Sequence, residues 1–71
     1  MASEVCAALG QRIRSLRRKR GWRQLDLAEQ AGINENYVSD LELGRKEACL
    51  QTLKALASAF EITLSELLKG V

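Results

Sequence analysis

Glycines at 21, 32 and 44 punctuate this chain, and each follows a stretch of helical character. Glycine enters the left-handed backbone region without a steric cost, and that conformation closes many helices. The punctuation limits the middle of the 71-residue chain to short helices. Helices that short are marginal in water on their own. They must bury one face against one another, so the chain folds as a cluster of short helices around a shared core. There is no proline to fix any other break. Trp22, Tyr37 and Phe60 are the only aromatic residues, so the core must be built from Leu, Ile, Val and Ala.

Five helices can be placed. Ser3 caps the first, in which Cys6, Leu9, Ile13 and Leu16 form one apolar stripe reaching to about Arg20. Gly10 interrupts it at a propensity cost of up to ~1 kcal/mol, which points to a second helix packed closely there. A second helix is expected from Arg23 to Gln30, with Gln24, Leu27, Ala28 and Ala31 on its inner face. Asn34 is a good N-cap for a third, with Ile33 and Val38 at the staple positions around it. Val38 and Leu41 point inward there, Tyr37 stands at the border, and Glu35, Asn36, Ser39 and Asp40 point outward. A fourth helix, Leu50 to Phe60, places Leu50, Leu53, Leu56, Ala57 and Phe60 inward. Thr63 and Glu66 form a capping box, stapled by Ile62 and Leu67, for a short fifth helix from Leu64 to Lys69. Nothing reads as a strand, a repeat or a linker. The expected fold is all-α, a five-helix domain over residues 1–71.

Composition removes several functions. The longest apolar run, Val5 to Leu9, is far short of the ~20 residues a membrane-spanning helix needs. No secretory signal is readable, so the cytoplasm is the expected location. The absence of histidine removes histidine-based catalysis and histidine metal ligation. Cys6 and Cys49 form no C-x-x-C pair, which argues against zinc. In a cytosolic chain they read as small buried apolar residues; a disulfide between them, or a redox role for Cys49 at a helix start, is the alternative. No catalytic set and no cofactor site can be assembled, so an enzyme is not expected.

Charge is distributed unevenly. Eleven basic and nine acidic residues leave a net +2. Arg12, Arg14, Arg17, Arg18, Lys19, Arg20 and Arg23 nevertheless lie together, and no acid occurs between Val5 and Leu25. Such a local field concentrates a polyanion. Nucleic acid, an acidic membrane surface and a merely solvated helix face all remain open on this feature.

Two short helices joined by Ala31-Gly32-Ile33 have the dimensions of a helix-turn-helix, at about residues 23–42. The second of them carries a polar face of hydrogen-bonding groups. A helix fits the DNA major groove, where asparagine grips adenine and a carboxylate accepts from cytosine. Leu9 through Arg14, Leu16-Arg17, Gln24, Leu27-Ala28, Ala31-Gly32-Ile33, Tyr37-Val38-Ser39 and Leu41-Glu42 are similar to the Xre-type helix-turn-helix family, which includes phage repressors and Cro. Leu50-x-x-Leu53 and the 63–68 segment extend the likeness. The lambda-repressor-like fold is what it implies. Within the family, Tyr37-Val38-Ser39 in a chain of this length resembles the controller proteins of restriction–modification systems.

The resemblance implies roles. Gln24 would hydrogen-bond a phosphate, or only stand exposed at its helix start, and Asn34 would cap its helix and touch the DNA backbone, or only cap. Glu35, Asn36, Ser39 and Asp40 would face base edges, or only solvent. Tyr37 would meet a phosphate or a thymine methyl, or would pack. Arg45 and Lys46 would meet the backbone beyond the third helix, or form a solvated loop. Arg17 and Glu42 match a family ion pair. Arg23 departs from the usual Ser or Thr cap and adds a phosphate-seeking cation. Glu35 and Asp40 repel phosphate and so reduce non-specific affinity.

One such module reads few base pairs, so a homodimer on double-stranded DNA is expected, with half-sites about 34 Å apart. The dimerisation segment is placed at about 50–71, with Leu64, Leu67, Leu68 and Val71 forming the interface. The mechanism this implies is operator occupancy that blocks or recruits RNA polymerase; Asp26, Glu29 and Glu35 are acids that would touch it, or only be solvated on exposed helices. The rival is a helical protein-interaction module such as an antitoxin-like partner.

Overall fold

Ser3 starts the first helix: its side-chain oxygen accepts from the Cys6 N–H at 3.0 Å. A computed structural model of the chain describes residues 3–71. The elements are α1 (Glu4–Lys19), α2 (Gln24–Ala31), α3 (Glu35–Glu42), α4 (Leu50–Ala59) and α5 (Leu64–Leu67), with no strand among the described residues. Arg23 is the cap of α2 rather than its first helical residue, and α5 stops two residues earlier than the pattern suggests. Gly21, Gly32 and Gly44 all have φ near +70°, as the punctuation requires.

The helices surround one core. Leu9 and Ile13 of α1, Leu27 of α2, Val38 and Leu41 of α3, and Leu56 and Phe60 from the α4 end meet there, with Leu67 of α5. α1 packs on α3, α2 lies against both α3 and α4, and α4 supports α5. Gly10 is where α1 meets α3. A Cβ at Gly10 would stand 2.4 Å from the Leu41 carbonyl oxygen and 2.6 Å from that of Glu42. The interruption in the helix pattern is therefore a contact between two backbones. Trp22 closes one end, stacked on Phe60 at 5.8 Å between ring centroids, with the Arg20 guanidinium 5.1 Å above it.

Three expectations are corrected. Leu50 is 64% exposed, not inward. As the first residue of α4 it stands off the packed surface, and the inward stripe begins at Leu53. Cys49 is exposed as the cap of α4, Cys6 is half-buried, and both thiols are free, so neither a buried pair nor a disulfide is present. Leu67 is wholly buried within the core and offers no side-chain surface for dimerisation.

Candidate nucleic-acid interface

The turn between α2 and α3 is closed by backbone bonds. The Ile33 N–H donates to the Ala28 carbonyl at 3.0 Å, beside Gly32 in the left-handed conformation. The chain then re-enters helix at Asn34, whose Oδ1 accepts from the Asn36 N–H at 2.7 Å. Val38 and Leu41 anchor α3 in the core. Their burial turns Glu35 and Asn36 fully outward and leaves Ser39 and Asp40 half-exposed. That exposed face is polar throughout.

The orientation of α3 is fixed from behind. The Arg17 fork donates Nε to Glu42 Oε2 at 2.6 Å and Nη2 to Oε1 at 3.0 Å. Its Nη1 donates to the Trp22 carbonyl at 2.7 Å. Gln24 Nε2 adds a bond to Glu42 Oε1 at 3.2 Å. One carboxylate thus joins α1, α2 and α3. The side chains of Arg17 and Glu42 are only 12% and 3% exposed. Two-pronged pairing of this kind fixes geometry as well as charge. The Glu42 carboxylate, through that hydrogen bond, raises the Arg17 pKa above its ordinary value. Gln24, expected at a phosphate, has one donor committed to this network.

The flanks of α3 are tied down too. The Tyr37 hydroxyl donates to the Glu47 carbonyl at 3.1 Å, which pins the loop after α3. Lys46 pairs with Asp40 at 3.2 Å. The Asp40 carboxylate therefore faces the reading surface already partnered by a cation. Arg45 and Lys46 are exposed beside it. At the start of α2, the Arg23 N–H donates to Asp26 Oδ2 at 2.8 Å, and the Arg23 guanidinium bonds the same carboxylate. Arg23 has no acceptor for the first-turn amides of α2, and Asp26 supplies only the other half of a capping box by accepting from the Arg23 N–H. The guanidinium, then the Arg23 N–H, holds the Asp26 carboxyl below its usual range.

The helix-turn-helix family model matches residues 13–67. The chain belongs to the helix-turn-helix family. It is a helix-turn-helix domain of the Xre and Cro-like kind found in transcriptional regulators. The HTH-type transcriptional regulator DdrOP3 of Deinococcus deserti is 49% identical over 63 residues, which is 89% of this chain and 49% of that protein. The immunity repressor of Bacillus phage phi105 is 40% identical over 57 residues, 80% of this chain and 40% of its own length. The chain thus spans about half or less of these two relatives. Among solved structures, the restriction-modification controller protein C.AhdI of Aeromonas hydrophila superposes with a TM-score of 0.85 at 35% identity, covering 87% of this chain and 94% of that one. The clp gene regulator ClgR of Corynebacterium glutamicum gives 0.86 at 31% identity, covering 94% and 87%.

In this helix-turn-helix domain the basic run divides in two. Arg12 donates to the Glu66 and Leu67 carbonyls at the end of α5. Arg20 donates to the Phe60 carbonyl and pairs with Glu61 at the end of α4. With Arg17 and Arg23, four of the seven cations therefore hold the fold together. The Arg23–Asp26 partnership is legible as an opposite-charge pair three apart, from the cap of α2 to its first turn. The Asp40–Lys46 pair and the carbonyls bound by Arg12 and Arg20 carry no such signal, because only the packing brings them together. Cys49 Sγ lies 3.3 Å from Thr52 Oγ1, and that hydroxyl, ahead of the backbone N–H groups, lowers the thiol pKa.

Proposed function

We infer that this chain is the DNA-reading part of a sequence-specific transcriptional regulator, with α3 placed in the major groove. The observation that carries the reading is the polar face of α3, Glu35, Asn36, Ser39 and Asp40, on a helix held rigid by the Arg17–Glu42–Gln24 network. A recognition helix must keep its side chains within a fraction of an ångström of base edges, and a buried fork behind it supplies that stiffness. Asn36 is the donor–acceptor residue suited to adenine. Gln24, Asn34, Arg45 and Lys46 border the same face and fit phosphate contacts that set its register, while Tyr37, whose hydroxyl is spent on the Glu47 carbonyl, offers its ring to a thymine methyl. Arg23 serves less well as a free phosphate ligand, since Asp26 holds it.

The working unit is a homodimer on a two-fold operator, blocking or recruiting polymerase by occupancy. Leu64 and Leu68 are partly exposed and Val71 is 39% exposed; Leu68 and Val71, with Val5, border a groove of about 520 Å³ that a second copy would cover. Likeness to the restriction-modification controller protein C.AhdI favours a controller of that kind, and likeness to the phage immunity repressor favours repression.

Selection of bound sequences from a random duplex pool at near-physiological salt tests the reading. The expected result is an enriched two-fold symmetric site with half-sites about 34 Å apart. Absence of enrichment would overturn it in favour of a helical protein-interaction module.

A further inference from the structure

With Arg12, Arg17, Arg20 and Arg23 committed to the fold, the other three cations of the run remain to be explained. At about 3.6 residues per turn, Gln11, Arg14, Ser15, Arg18 and Lys19 share the outer face of α1. All five are exposed. Among the described residues Arg14, Arg18 and Lys19 make no ion pair and no side-chain hydrogen bond. Together the five line a shallow depression of about 600 Å³. None of them belongs to α2, α3 or the loop that follows.

The chemistry of this ridge is selective. It holds no acid, so nothing on it offsets the three positive charges. It holds no apolar residue, whereas a helix that lies in a lipid surface needs one to insert and a protein interface is centred on buried aromatic or aliphatic anchors. Arginine and lysine alternating with serine and glutamine is the set that contacts phosphate oxygens. Arg14 and Arg18 stand one turn apart and present two forks side by side.

We propose that the outer face of α1 is a second DNA-binding surface, which grips the phosphate backbone of duplex DNA without reading its sequence. It depends on the preceding reading only for the class of ligand. It adds affinity and salt dependence to the sequence preference set by α3.

The test compares two charge-matched variants of the full chain, Arg14→Gln with Arg18→Gln and Lys54→Gln with Lys69→Gln, by the salt dependence of binding to a selected duplex and to a random one. Each phosphate contact contributes about 0.9 to the slope of log affinity against log salt. The ridge variant is expected to have a slope shallower by about 1.8, so that between about 50 and 200 mM salt it loses roughly tenfold less affinity than the parent. The control variant is expected to stay near the parent, and the ranking of duplex sequences to be unchanged in both. Equal slopes for the two variants, or a changed ranking in the ridge variant, would overturn the proposal. If selected and random duplexes bind alike while the slope still depends on the ridge, the ridge stands and sequence-specific reading falls. If preference persists and the ridge variant keeps the parent slope, the reading stands and the ridge falls. A parent that binds no duplex at low salt removes both.

Discussion

At Gly10 one methyl group decides whether two helices meet. An alanine there gains up to ~1 kcal/mol of helix propensity. Its Cβ would nonetheless overlap two carbonyl oxygens of α3, and backbone has little room to give. Gly10→Ala is therefore expected to lose about 2–3 kcal/mol net, on the scale of overpacked cores, measurable by denaturant unfolding. Glu61 presents the opposite case, a non-glycine residue at φ 58° after α4. The left-handed region costs an L-residue roughly 1–2 kcal/mol, and the pair with Arg20 is too exposed to offset much of that. Glu61→Gly is expected to stabilise the chain by about 0.5 kcal/mol once the greater freedom of its unfolded state is counted, seen as a higher urea midpoint. Gly10 was legible because glycine is out of place inside a helix. Glu61 was not, because its residue type carries no signal for the conformation it holds.

The elements depend on partners that cap and lock them. Glu42 accepts from Arg17 and Gln24, and removing it leaves a guanidinium with little access to water. Glu42→Ala is expected to cost about 3 kcal/mol, the lower end for a broken buried pair. Replacing both partners, Arg17→Met with Glu42→Leu, should recover most of that in thermal unfolding and yet leave DNA selectivity reduced, because the lock between α2 and α3 is gone. The caps give a pH dependence. Asp26, through the Arg23 guanidinium first, and Glu66, through the Thr63 N–H first, have carboxyls held below their ordinary values of 3.8 and 4.5. The unfolded chain then binds protons more readily than the folded one. Their contribution is complete above the unfolded values and disappears as pH falls through the folded ones. Asp26→Asn with Glu66→Gln should flatten the loss of stability between about pH 5 and pH 2, followed by thermal melts across that range. The capping box at Thr63 was readable three residues apart; that Asp26 accepts from the Arg23 N–H as well as from its guanidinium needed the structure.

At the scale of the whole molecule, the described residues form a body of 27 × 25 × 22 Å with several large apolar side chains left outside. Val5 is 63% and Val71 39% exposed, on opposite chain segments that the fold brings to one groove. If a second copy covers that groove, Val71→Asp should weaken self-association at least tenfold in sedimentation equilibrium while leaving the melting temperature nearly unchanged. An unaltered association constant would exclude this groove from the interface. Leu67 does not belong in such a test, because its side chain is spent within the protomer.

Helix number, the three glycine stops and the polar face of α3 follow from the order of residues alone, since each rests on local periodicity or on the backbone freedom of one residue type. The likeness to Xre-type domains is legible for the same reason: it is carried by residues close together along the chain. Beyond the Arg17–Glu42 and Arg23–Asp26 pairs, what only the tertiary structure decided is the use of the remaining charges. Arg12 and Arg14 are neighbours on one helix and chemically identical, but one is bound to α5 carbonyls and the other faces water. The difference depends on which elements pack beside α1, and packing is a property of distant segments brought together.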